Sequence, residues 1–80
     1  MRIYLQTPPD SGNAPRYYHL LLQKDLISGW NLVHETGRQG SPGRVTKKHF
    51  DEREAGVTAL INARDAQLKR GFRVVFVKGD

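Results

Sequence analysis

One helical pattern, between Asp51 and Gly71, constrains the fold of this chain more than any other feature. Four large apolar residues recur in it at the spacing of a helix face: Val57, Leu60, Ile61 and Leu68. The stripe is narrow, so the helix is expected to lie on one face of a sheet. We predict one helix of about 18 residues, from roughly Asp51 to Arg70. Leu60, Ile61 and Leu68 are expected to contact the sheet.

Both ends of this segment carry signals of a helix terminus. Asp51, followed three residues later by Glu54, fits a variant of the N-terminal capping box. Lys69 and Arg70 fall in the last turn, where the helix dipole favours cations. Gly71 is suited to the left-handed conformation that ends many helices. The helix is therefore expected to begin and end inside this segment.

Five short segments have strand patterns, and four of them precede the helix: Arg2–Gln6, Tyr17–Lys24, Trp30–Thr36, Arg44–Phe50 and Phe72–Val77. The connections between consecutive strands are mostly short, which favours antiparallel neighbours. The predicted fold class is α+β, an antiparallel sheet of about five strands with a single helix on one face, in the order β-β-β-β-α-β.

Length and composition limit the class of protein. The chain has 80 residues, and we predict a single domain over residues 1–80. It has no cysteine, which excludes disulfides and thiolate metal sites. No apolar run approaches the roughly 20 residues of a membrane helix, and the N-terminus has no export signal. We therefore expect a cytoplasmic protein with no membrane partner.

The positive charge is concentrated in one segment. The formal net charge is +5, and the segment from Thr36 to Phe50 holds four cations and no acidic residue: Arg38, Arg44, Lys47 and Lys48. A local field of this sign attracts polyanions, of which nucleic acid is the commonest in the cytoplasm. A merely solubilising basic surface is the alternative interpretation.

The same segment begins with the stretch "TGRQGSPGR", Thr36 to Arg44, between two predicted strands. It is not a P-loop, because it lacks the Gly-Lys-Ser/Thr ending that binds nucleotide phosphates and magnesium. Its glycines would let backbone N–H groups approach an oxyanion, and its arginines would add paired hydrogen bonds. Equally, the glycines would supply the positive φ angles of a hairpin turn. The sequence leaves both interpretations open.

No catalytic or metal-binding constellation is visible. The three histidines lie 15 residues apart on predicted strands and have no established ligand spacing: His19, His34 and His49. The serines lie in turn-like contexts, and helix capping explains the acidic residues near Asp51. We predict no catalytic residue, no metal, no cofactor and no enzymatic activity.

Two aromatic residues are candidates for stacking on bases or sugars. Trp30 opens a strand and shares a face with Leu32, which favours packing in the core. Tyr17 lies in an aromatic pair at the start of another strand, and stacking on a nucleic acid is its alternative to packing.

Beyond these local patterns, the segment from Tyr17 to Phe76 resembles the WGR domain, named for a Trp-Gly-Arg motif. The resemblance rests on "YYHLLLQ", on "GWNLVHETGRQGSPGRV", and on the helix and closing strand that follow in family order. It implies an antiparallel sheet with one helix and a non-catalytic module that, in poly(ADP-ribose) polymerases, contacts DNA. Thr36 replaces the signature tryptophan, whereas Gly37 and Arg38 match the motif.

The resemblance and the local charge together predict a nucleic-acid-binding module that contacts the phosphate backbone weakly and without sequence preference. DNA is favoured over RNA as the partner. The candidate binding residues are Thr36, Gly37, Arg38, Arg44, Lys47 and Lys48. Strand alternation places Arg44 and Lys48 on one face and Lys47 on the other. The alternative function is a protein-interaction module that docks an acidic partner or pairs with itself.

Overall fold

Five strands form one antiparallel sheet in the computed structural model, which describes residues 1–10 and 12–79. The strands are β1 (Arg2–Gln6), β2 (Arg16–Lys24), β3 (Trp30–Arg38), β4 (Arg44–Phe50) and β5 (Arg73–Lys78), and the helix α1 (Arg53–Lys69) connects β4 to β5. The spatial order is β4-β3-β2-β1-β5, so the last strand pairs with the first. The predicted fold class is confirmed, with α1 packed against the sheet.

Cross-strand register aligns the apolar side chains on the face that α1 covers. Ile3 pairs with Leu20 across β1 and β2, and Leu22 pairs with Leu32 across β2 and β3. The buried core between α1 and the sheet consists of Ile3, Leu5, Leu20, Leu22, Leu32, Leu60 and Phe72. Burying each of these side chains contributes roughly 1.5–3 kcal/mol. This one-sided core holds the helix on the sheet.

The helix begins later than the predicted capping box requires, so that prediction is wrong. Glu52, not Asp51, is the N-cap residue, and no side chain caps the helix there. Asp51 is exposed, and one of its carboxylate oxygens lies 3.6 Å from His49 Nε2. The acid that was expected to cap the helix therefore lies beside a β4 histidine instead.

The predicted C-terminal signal is confirmed. Gly71 has a φ of 97°, and its N–H donates to the Leu68 carbonyl at 3.1 Å. The Phe72 N–H donates to the Gln67 carbonyl at 3.0 Å, which completes a Schellman motif. This arrangement turns the chain so that buried Phe72 enters the core directly before β5.

Only part of the predicted helix stripe is buried. Leu60 is fully buried, but Ile61 and Leu68 are 37% and 42% exposed, so their predicted contact with the sheet is wrong. The buried positions are instead Gly56, Leu60 and Gln67. Ile61 and Leu68 each follow a buried position by one residue, which rotates them by about 100° from the sheet.

A glycine allows the helix to lie close to the sheet. Gly56 packs on Leu22, and a Cβ built on Gly56 would lie 2.8 Å from Leu22 Cδ1. The exposed edges of the sheet are β4 and β5. No described helix is both long and apolar enough to cross a membrane.

Adjacent helix residues provide a direct test of this packing. We expect Leu60→Ala to lower the free energy of unfolding by about 2–5 kcal/mol, because it leaves a cavity in the core. Ile61→Ala is expected to change it by less than about 1 kcal/mol, since that side chain is partly in solvent. Urea denaturation followed by circular dichroism measures both values, and equal losses would contradict the assigned helix rotation.

Candidate nucleic-acid interface

The motif residues Gly37 and Arg38 lie in a strand rather than in the loop. β3 continues to Arg38, and the turn to β4 is made by residues 39–43. Gly40 has a φ of 83°, and the Ser41 N–H donates to the Arg38 carbonyl at 3.1 Å. The glycines were interpreted either as an oxyanion-binding backbone or as residues with the positive φ of a hairpin turn. Gly40 has the second role.

Gly37 and Gly43 have a different role, which is to make room for Tyr17. Register places Gly37 directly opposite Tyr17. A Cβ on Gly37 would lie 3.2 Å from the Tyr17 hydroxyl oxygen, and a Cβ on Gly43 would overlap the same hydroxyl. Sequence reasoning missed this packing because it depends on which residues face each other across the strands.

A cluster of arginines lies at the end of the sheet near this turn. Arg16 pairs directly with Arg38 across β2 and β3, and Arg44 pairs with Thr36 on β4. All three arginines are exposed and lie on the sheet face that α1 covers, and we call them the arginine end. Sequence reasoning missed Arg16, whose position opposite Arg38 only the strand register reveals.

The arginine end borders an open pocket of about 270 Å³, lined by Thr7, Pro8, Asp10, Asn13, Ala14, Arg16 and Arg38. Arg38 Nη1 donates to the Ala14 carbonyl at 3.4 Å, and the Arg16 guanidinium lies 6.0 Å from the centre of the Phe72 ring. Among the described residues, no carboxylate lies within 4 Å of either guanidinium. Like charges directly opposite are unfavourable in a sheet, and an anion between the two guanidinium groups would relieve their repulsion.

The structure does not bring all four predicted cations together. Lys48 shares the face of Arg44 but lies four residues along β4, about 13 Å away at strand spacing. Its ammonium lies 5.4 Å from the centre of the Phe50 ring. Lys47 faces the other side of the sheet, beside the turn of residues 25–29. Arg38 and Arg44 are thus neighbours, whereas the two lysines are separate.

The remaining predicted site residues have structural contacts. Thr36 Oγ1 donates to the Tyr17 carbonyl at 3.1 Å. Trp30 packs partly buried against the core, and the Arg53 guanidinium lies 5.7 Å from the centre of its ring. These contacts leave Trp30 poorly placed to stack on a ligand.

Tyr17 lies on the sheet face opposite α1, and its ring is partly exposed. It stacks on Tyr4, with ring centroids 6.0 Å apart and planes 8° apart. Its hydroxyl donates to Glu35 Oε2 at 3.5 Å. Burial and then the Glu35 carboxylate raise the pKa of Tyr17 above its ordinary value, so this side chain stays a neutral donor.

The three histidines have three different sets of neighbours. His19 Nδ1 lies 3.8 Å from Glu35, His34 Nδ1 lies 3.0 Å from the Tyr18 hydroxyl, and His49 Nδ1 lies 3.1 Å from the Asn31 side-chain oxygen. Within residues 1–10 and 12–79, no group of three or more His, Asp or Glu is arranged to hold a metal ion.

The His49 contact belongs to a network that fixes the turn between β2 and β3. Asp25 accepts from the Ile27 N–H at 2.9 Å and from the Asn31 side-chain amide at 2.8 Å. These two donors lower the pKa of Asp25 below its ordinary value. The network holds the turn in a shape that leaves Leu26 and Ile27 almost fully exposed.

Comparison with known proteins adds one relative. The chain is 29% identical over 72 residues to the uncharacterized protein y4dW of Sinorhizobium fredii (strain NBRC 101917 / NGR234). The match covers 90% of this chain and 35% of the relative, so the chain spans about a third of that protein. No family model matches the chain. No solved structure matches it either.

In the middle of β3, His34 is expected to make the stability of the fold depend on pH. Burial and then the positive charge of Lys48 lower its pKa below the ordinary value of 6.5. At pH values between the folded and the unfolded pKa, His34 therefore binds fewer protons in the folded state than in the unfolded state. Its contribution to stability is fully present above pH 6.5. That contribution is lost as the pH falls through the folded pKa.

We expect the free energy of unfolding to fall more steeply below about pH 6.5 in the wild type than in His34→Gln, which does not titrate there. Urea denaturation at a series of pH values measures the free energy of unfolding of both proteins. The contributions of the other titrating groups cancel in the difference between them. Parallel pH profiles for the two proteins would show that His34 is not the responsible group.

Proposed function

We propose that this chain is a non-catalytic nucleic-acid-binding module that contacts the phosphate backbone through its arginine end. The observation that carries the proposal is the direct pairing of Arg16 with Arg38 beside an open pocket, with Arg44 next to them on the same face. Guanidinium groups bind phosphate through paired, charge-assisted hydrogen bonds. A phosphate between neighbouring strands would offset the repulsion of two facing arginines.

We further propose that the chain is a WGR-like domain of a bacterial cytoplasmic protein. The order of strands and helix agrees with that family, and Gly37 and Arg38 match its motif. The partial coverage of y4dW is consistent with a module that also occurs within longer proteins. By this resemblance, DNA is the favoured nucleic acid.

Binding is expected to be weak and indifferent to sequence. Thr36 stands where the family has tryptophan, and threonine has no aromatic ring that could stack on a sugar or base; its hydroxyl donates to the Tyr17 carbonyl instead. Contact with phosphates alone gives dissociation constants on the order of 10⁻⁴ to 10⁻⁶ M at physiological salt.

A protein-interaction module is the second candidate, favoured by exposed apolar side chains. Leu26 and Ile27 are 104% and 94% exposed at the tip of a well-fixed turn. The edge strand β5 also exposes four apolar residues in a row, Val74, Val75, Phe76 and Val77. A mainly apolar protein interface would depend little on salt, whereas phosphate contacts depend on it steeply.

A double substitution tests the arginine end. We expect Arg38→Gln with Arg44→Gln to weaken binding to every duplex DNA sequence and to reduce the log–log salt slope by about two units, if each arginine meets one phosphate. Fluorescence anisotropy with a labelled duplex at several salt concentrations measures both quantities.

The matched control is Lys69→Gln with Arg70→Gln, which removes the same charge from exposed positions at the end of α1. This control is expected to keep most of the affinity and the salt slope. If both double variants weaken binding equally, net charge rather than the arginine end governs the interaction. A wild-type protein that does not bind DNA at low salt would favour the protein-interaction candidate.

A further inference from the structure

No described helix or strand packs on the sheet face opposite α1, and we call it the open face. Strand alternation places on it the aromatic and apolar side chains Tyr4, Tyr17, His19, Leu21, Val33 and Phe76. Tyr4 and Phe76 are direct cross-strand partners, and Phe76 is 48% exposed. The other five are half-buried, and a partly exposed face this rich in rings is a candidate binding surface.

We propose that the open face binds the unpaired bases of single-stranded nucleic acid on Tyr4 and Tyr17. This inference rests on the proposed function for the class of partner, but it concerns the opposite face of the sheet and a different kind of contact. The arginine end would hold phosphates, whereas the open face would add stacking on bases.

The two tyrosine rings are fixed before any ligand arrives. Their planes are 8° from parallel and their centroids are 6.0 Å apart on neighbouring strands. The Gln39 side-chain amide donates to the Tyr4 hydroxyl at 2.8 Å, and the Tyr17 hydroxyl contacts Glu35. Rings held in this way lose little conformational freedom on binding, and base–aromatic stacking tolerates any base.

Cations surround the rings on the open face. Arg2 pairs with Lys78 at one corner, and Arg73 pairs with Gln6 near Tyr17. Lys47 lies across the sheet on β4, opposite Val33. This arrangement places positive charge at the margins, where phosphates would lie, and aromatic rings in the middle, where bases would lie.

Acidic charge on the same face is limited and engaged. Among the strand residues that alternation places there, Glu35 is the one carboxylate, and it contacts both Tyr17 and His19. Charge complementarity therefore favours a polyanion over a second copy of this basic chain. The aromatic rings favour a single strand over a duplex, because duplex bases are stacked inside the helix and cannot reach a flat sheet.

An abasic oligonucleotide tests the proposal without any substitution. Fluorescence anisotropy is measured with labelled oligodeoxythymidylate and with an abasic oligonucleotide of the same length and backbone charge. We expect the wild type to bind the abasic strand roughly 5- to 150-fold more weakly, the ratio given by about 1–3 kcal/mol of stacking. Equal affinities would overturn the inference while leaving backbone contact intact, and failure to bind either strand would overturn the proposed function as well.

Substitutions of Tyr4 and Tyr17 then test whether the preference for the strand with bases depends on these two rings. Tyr4→Ala is expected to abolish most of the preference for the strand with bases, whereas Tyr4→Phe and Tyr17→Phe keep the rings and keep the preference. Circular dichroism confirms folding of each variant. If Tyr4→Ala folds and retains the full preference, or if the phenylalanine variants lose it, the bases do not stack on these rings.

Discussion

The packing of a single helix on one face of the sheet is the interaction on which the rest of this structure depends. Leu60 belongs to one buried core with Leu20, Leu22 and Leu32, and Gly56 allows close approach of the helix to Leu22. One helix covers one face, so no helix packs on the other face, and the two edge strands are exposed at nearly every position. The protein keeps charged residues along β4 and at both ends of β5, and it fixes aromatic rings on the open face by hydrogen bonds.

Strand register then determines which functional side chains lie together on each face of the sheet. The pairing of β2 with β3 places Arg16 opposite Arg38 on one face and Tyr17 opposite Gly37 on the other. Residues adjacent in sequence therefore form the arginine end on one face and the glycine-lined position of Tyr17 on the other. The two surfaces meet at the turn of residues 39–43, where Gln39 contacts Tyr4. A nucleic acid at this end of the sheet would have access to both surfaces.

Much of the fold could be predicted from the sequence because alternation and helical spacing are local properties. β1 and β4 have their predicted bounds, and Gly71 ends the helix as expected. The exact rotation of α1 could not be predicted, because Gly56 and Gln67 are buried in place of the more apolar Ile61 and Leu68. Arg16 and Tyr4 were missed as site residues since their importance depends on cross-strand partners.

We propose two contacts with nucleic acid: phosphates at the arginine end and unpaired bases on the open face. Titration of the ¹⁵N-labelled domain with a short DNA duplex, and with one of its strands alone, tests them most directly by NMR. We predict that both ligands shift the amide signals of Arg16, Arg38 and Arg44, and that the single strand alone also shifts those of Tyr4 and Tyr17. Shifts confined to β5 and the Leu26–Ile27 turn, or no shifts at low salt, would contradict this account.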